Sequence, residues 1–116
     1  MSHPTTAYKV LTANEMASLE RDGEFGGSAV DREDGYIHLS TAEQLTATVD
    51  KHYGEQVDLH VAAVDVDAQG DALRWEQARG GDQFPHLYGV LRLDTVVAYS
   101  PLERDDDGAV RLPVTG

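Results

Sequence analysis

Three short blocks of the chain carry side chains whose chemistry goes beyond packing. In Tyr36-Ile37-His38-Leu39-Ser40-Thr41, alternation puts Ile37 and Leu39 on one face of a strand and Tyr36, His38 and Ser40 on the other. An imidazole just before a helix start stands near unsatisfied backbone N–H groups, a seat for a phosphate or carboxylate where Ser40 caps or donates. The same pattern also fits a packing histidine beside a serine that only caps. In Leu73-Arg74-Trp75-Glu76, Arg74 and Glu76 share one strand face and Trp75 turns to the core on the other. A guanidinium fork there suits a bidentate carboxylate or phosphate, and equally an ion pair with Glu76 or an Asp. In residues 77–89, Arg79-Gly80-Gly81 makes a mobile loop and Phe84-Pro85 opens an extended segment carrying His86 and Tyr88. Positions two apart on a strand lie roughly 6.5–7 Å from each other, so this imidazole and phenol can touch one ring-sized ligand. The glycine pair would hinge a lid over it, or simply close a hairpin before a surface strand.

Other chemistries drop out. The chain has no cysteine, which removes disulfides, thiolate zinc sites and cysteine nucleophiles. His3, His38, His52, His60 and His86 show neither HxxxH nor HxH spacing, so no metal is expected. Ser40 lacks the GxSxG elbow of a serine hydrolase, and Gly26-Gly27 and Gly80-Gly81 are isolated pairs rather than phosphate loops.

The elements that must position these residues are legible from caps and periodicity. Residues 7–11 alternate as a first strand, and Thr12 with Glu15 makes a capping box for a helix of about ten residues carrying Ala13, Met16 and Leu19 on one stripe and stopping at Gly23. A Gly-rich loop over 24–34 leads to the Tyr36 strand. Ser40 with Glu43 reads as a second capping box, and Ala42, Leu45, Val49 and Tyr53 define the helix that Gly54 stops. Residues 58–66 are apolar on both faces, as expected of a strand in the middle of a sheet. Segments 73–75, 87–93 and 95–99 read as further strands, and Asp105-Asp106-Asp107-Gly108 as a solvated turn before a frayed end. This gives a disordered N-terminus over 1–6, one α+β domain over 7–103, and an acidic turn and tail over 104–116.

Nine Lys and Arg against 21 Asp and Glu give a net charge of −12, which repels phosphate backbones and argues against generic nucleic-acid binding. Leu, Val, Ile and Phe supply 26 of the 116 residues, close to the disorder borderline of about 20%. The periodic apolar pattern between glycine stops nonetheless predicts a compact, modest core. No stretch approaches the ~18 apolar residues of a membrane helix and no signal segment opens the chain, so a cytoplasmic location is expected. No motif specifies a protein partner.

The blocks Gly35-Tyr36-Ile37-His38-Leu39-Ser40-Thr41-Ala42-Glu43-Gln44, Leu73-Arg74-Trp75-Glu76 and Phe84-Pro85-His86-Leu87-Tyr88-Gly89 together resemble the domain of unknown function 952 family of small bacterial proteins, over residues 8–102. The resemblance implies an ADP-ribosyltransferase-like fold: a split β-sheet, here with two short helices, around a cleft that in active members holds nicotinamide adenine dinucleotide (NAD). It places His38 at the Tyr-or-His position that packs on nicotinamide and the segment around His86 at the third element. Family members carry Tyr-His where this chain has Tyr8-Lys9, a departure at the ribose-binding position. The absence of a Glu at the third element points away from a toxin-like protein-modifying transferase. The fold is similar also to that of RNA 2′-phosphotransferases, but the negative charge disfavours an RNA substrate.

Taken together, the expectation is a cleft that binds a nucleotide or another small anionic ligand, with NAD as the implied cofactor and ADP-ribosyl transfer as the implied chemistry. His38, Arg74 and His86 are the expected catalytic residues, and Ser40, Thr41, Arg79 and Tyr88 the expected ligand contacts. The alternative is a binding or interaction module that kept the fold and lost the chemistry.

Overall fold

The computed structural model describes residues 3–54, 56–78 and 80–114. Strand β1 (Thr6–Thr12) runs into helix α1 (Ala13–Asp22), followed by β2 (Glu24–Phe25), α2 (Ala29–Asp34), β3 (Ile37–His38) and α3 (Ala42–His52). The second half holds β4 (Leu59–Asp65), a 3-10 turn (Asp67–Ala72), β5 (Leu73–Gln77), β6 (Gln83–Leu87), β7 (Leu91–Arg92), a second 3-10 turn (Leu93–Thr95) and β8 (Val96–Pro101). All strand pairs are antiparallel: a sheet β1-β4-β8, a sheet β3-β6-β5, and the small pair β2-β7. The two larger sheets meet where Tyr8 and Ser40 exchange backbone hydrogen bonds of 2.7 and 2.9 Å. The domain is therefore α+β with a sheet split into two blades.

Strand β4 sits in the middle of its sheet, and its two apolar faces feed two cores. Ala62 and Val64 join Ala7 and Leu11 of β1, Met16 and Leu19 of α1, and Ile37, Leu39, Leu73 and Leu87 of the second blade. Val61 and Ala63 pack with Tyr8, Val10, Leu45 and Val49, which seats α3 on the opposite face. The core that the modest apolar content allows is thus divided by one sheet. Among the described residues, no helix is long and apolar enough to cross a membrane.

Several local expectations change. The described residues form three α-helices, because the Gly-rich stretch contains α2, capped reciprocally by Ser28 and Asp31. Its six residues are too short to show an apolar period, which is why the segment reads as a loop. Gly27 makes this turn possible: at φ +110° it places its Cα so near α2 that an added Cβ would lie 2.9 Å from Asp31 Cβ. The box that starts α3 is Thr41 with Gln44, not Ser40 with Glu43. The run 87–93 is broken by the Tyr88–Val90 turn into the end of β6 and β7. Of the expected terminal segments, residues 1–2 and 115–116 lie outside the described residues. Within the described ones, the His3 ring stacks on Trp75 at 4.1 Å, and after the acidic turn Val110 is buried in the α3 core with its N–H on Thr46, which anchors that segment.

Ser28→Ala removes the acceptor for the Asp31 N–H and is expected to cost about 1 kcal/mol, read as a lower urea midpoint at unchanged slope. An unchanged midpoint would mean that Asp31 alone holds α2 in place.

Candidate functional site

The second blade turns one face to the core and the other outward. The register sets Ile37 beside Leu87 and Leu87 beside Leu73, all buried in the core. One residue along, His38 pairs with His86 and His86 with Arg74, so the opposite face carries these three in a row across β3, β6 and β5. Tyr36, Glu76 and Tyr88, each two residues from one of them, extend the same face.

Four rings cluster there. Tyr36 stacks on His86 with centroids 4.0 Å apart and lies 4.7 Å from His38 and 5.2 Å from Tyr88. His38 and His86 meet edge to face at 5.7 Å, and the Arg74 guanidinium sits 4.7 Å over the Tyr88 ring. Arg74 thus lies on an aromatic face, and Glu76 turns to other partners. The Glu76 Oε1 atom accepts from His86 Nδ1 at 2.8 Å and from Tyr88 Oη at 2.7 Å. The Tyr88 and His86 hydrogen bonds hold the Glu76 carboxyl below its usual range, and the same bond to Glu76 raises the Tyr88 phenol. Burial, then the charges of Asp34 and Glu76, push the Tyr36 phenol up.

His38 is held between two carboxylates, its Nδ1 2.6 Å from Asp31 and its Nε2 2.9 Å from Asp34. Carboxylates only accept, so a neutral imidazole, with one N–H, satisfies one of them at a time. Asp31 is the node beneath. One of its oxygens takes the His38 ring and backbone N–H, and the other takes Lys9 Nζ at 3.0 Å and the Ser28 N–H at 2.9 Å. Burial alone would raise the Asp31 carboxyl, but the His38 hydrogen bond, the Lys9 charge and the Ser28 N–H outweigh it and hold it well below the usual carboxylate range. Lys9 and Asp31 are each 3% exposed. The lysine at the departing position therefore lies in the interior, and its effect reaches the open face only through Asp31.

Of the residues singled out by sequence, the structure brings His38, Arg74, His86 and Tyr88 onto one face. It does not bring Ser40 and Thr41 there: Ser40 is buried with its Oγ on Thr48, and the Thr41 hydroxyl caps α3 through the Gln44 N–H. Arg79 lies outside the described residues. The Gly80-Gly81 segment is a tight hairpin in which Ala78 N–H bonds Asp82 and Gly81 N–H bonds Ala78, which favours the hairpin reading over the lid. Sequence reasoning missed Asp31, Asp34, Tyr36 and Glu76 as site residues. A capping box over Ser28–Asp31 was the available signal for the first two.

The arrangement combines a ring platform, a fixed carboxylate at its edge, and an imidazole held between two carboxylates. A comparison with known families matches residues 10–99 to the one described as Protein of unknown function (DUF952). Among solved structures, the X-ray crystal structure of protein CC0527 from Caulobacter crescentus is similar at a TM-score of 0.84 and 41% identity, covering 92% of this chain and 94% of that one. The solution NMR structure of CC0527 gives a TM-score of 0.78 at 41% identity, with 92% and 91% covered. No curated protein matches the chain. Most of the chain falls within one family match, and the relative of known structure spans nearly all of it, so this protein belongs to the family of proteins of unknown function DUF952.

Proposed function

We propose that the outward face of β3-β6-β5 is the cleft of an ADP-ribosyltransferase-like fold and binds a nucleotide of the NAD type by its nicotinamide–ribose end. The observation that carries this reading is the Tyr36–His86 stack with the Glu76 carboxylate fixed beside it by His86 and Tyr88. A flat, positively charged pyridinium ring suits a platform edged by Glu76 and Asp34 better than a bare phosphate does. Glu76 also supplies the carboxylate that the third-element pattern lacked, from the neighbouring strand β5.

NAD would supply the electrophile, the ribose carbon that bears the nicotinamide. In that chemistry the ribose–nicotinamide bond would break, with nicotinamide leaving, as the acceptor bonds to the ribose carbon; Glu76 would face the positive charge that develops there, His38 would take the acceptor's proton, and Arg74 would balance charge at the rim. His86 and Tyr88 orient Glu76. A second reading, a module that binds without turnover, is favoured by one observation: Lys9, Asp31, His38 and Asp34 already satisfy one another.

An NMR titration with NAD, ADP-ribose and free nicotinamide tests both. We expect amide shifts at residues 36–38, 74–76 and 86–88 that disappear in His38→Ala. No shift at millimolar ligand would overturn the binding reading, and shifts without nicotinamide release in the presence of nucleophilic acceptors would favour the module.

A further inference from the structure

A hollow of about 330 Å³ opens beside Tyr36, between the Gly26 turn, α2 and the Gly89-Val90 turn. That volume is at the small end of the range of ~300–1,000 Å³ for ligand sites. Arg32 lines it, with its Nη2 atom packed 3.8 Å from where a Gly26 Cβ would be.

The charges point to what the hollow takes. The chain has 21 Asp and Glu, and among the described residues Lys9, Arg21, Arg92, Arg104 and Arg111 each lie within ion-pair distance of one. Arg32 does not, although it is exposed and follows Asp31 directly in the chain. The one carboxylate lining this hollow is Asp31, and its charge is already met by Lys9 and the His38 ring. Arg32 also lines a second hollow of about 350 Å³, where Glu15, Asp22 and Glu24 outnumber Arg21 and Arg32 and disfavour an anion. Arg32 therefore offers a fork that is in no ion pair among the described residues at the rim of the Tyr36-side hollow, where a phosphate meets a cation and a carboxylate that is already engaged.

We infer that this hollow is a phosphate subsite, with Arg32 as the side chain that grips the diphosphate of the nucleotide whose ring end stacks on Tyr36. The inference rests on the nucleotide reading above for the identity of the ligand, but the phosphate subsite stands or falls separately. It also gives the two arginines that lie outside ion pairs among the described residues distinct places, Arg74 over the Tyr88 ring and Arg32 on the phosphates.

The test is a titration of the full chain and of Arg32→Gln with inorganic pyrophosphate, ADP-ribose and nicotinamide, followed by amide shifts. Arg32 is exposed, so the variant is expected to keep the parent spectrum. We expect pyrophosphate and ADP-ribose to shift residues 26, 32 and 89–90 and to bind about tenfold more weakly to Arg32→Gln, with nicotinamide unaffected. ADP-ribose binding both proteins equally would overturn the phosphate subsite and leave the nucleotide reading in place. Pyrophosphate binding that depends on Arg32, with nicotinamide shifting none of residues 74–76 and 86–88, would keep the subsite and overturn the nucleotide reading. If neither phosphate compound binds the parent protein, both fall.

Discussion

Asp31→Asn is expected to destabilise the domain by about 3–5 kcal/mol at neutral pH, because it leaves the Lys9 ammonium buried without a counter-charge. Asparagine keeps the shape of the side chain and one carbonyl oxygen, yet it cannot accept from Lys9, Ser28 and both His38 donors at once. Lys9→Met is expected to cost less, since Asp31 then keeps His38 and the Ser28 N–H. Adding Lys9→Met to Asp31→Asn should recover part of the loss, a non-additivity that marks the pair as coupled. The pH dependence has a definite sign. The carboxyl of Asp31 is depressed in the folded state, so its contribution is fully present above the unfolded value of about 3.9 and is lost as pH falls below it toward the folded value. Urea unfolding between pH 6 and pH 3 should therefore show an acid loss in the parent that is shallower in Asp31→Asn. An Asp31→Asn midpoint at neutral pH that matches the parent would sink this account of the node.

The open face and its hidden support differ in how far sequence reveals them, and the difference is physical. Alternation along a strand is a local property, so the common face of His86 and Tyr88, of Arg74 and Glu76, and the outward turn of His38 can all be read before the fold is known. Register is not local. That His38 stands beside His86, 48 residues on, depends on how β3 meets β6, and nothing within either segment fixes that pairing. The same limit explains Glu76. An Arg two residues away looks like its partner, while the actual donors come from the neighbouring strand. Lys9 shows the limit most clearly: a lysine in an apolar strand reads as a lost site residue, and only the fold shows Asp31, 22 residues on, meeting it in the interior. Helix α2 was obscured for another reason, since six residues between glycines carry a cap but no hydrophobic period.

Tyr36→Ala is expected to weaken binding of NAD and of free nicotinamide by roughly 10–100-fold, the loss of one stacking platform at about 1–3 kcal/mol per ring. Tyr36 is the one side chain that touches all three other rings of the cluster, His38, His86 and Tyr88, and it also lines the Arg32 hollow. Its removal therefore opens the platform at its centre and, on the proposed reading, separates the ring end of the ligand from its phosphates. Tyr36→Phe keeps the ring and should bind within a few-fold of the parent, because no side-chain hydrogen bond of the cluster uses the Tyr36 hydroxyl among the described residues. Titration calorimetry of the three proteins against NAD measures this directly, with urea midpoints confirming that the alanine variant remains folded. Equal affinity for Tyr36→Ala and the parent would remove the stack as the ligand platform. A large loss in Tyr36→Phe would instead mean that the ligand is recognised through the phenol hydroxyl, which would turn the site from a stacking surface into a hydrogen-bonding one.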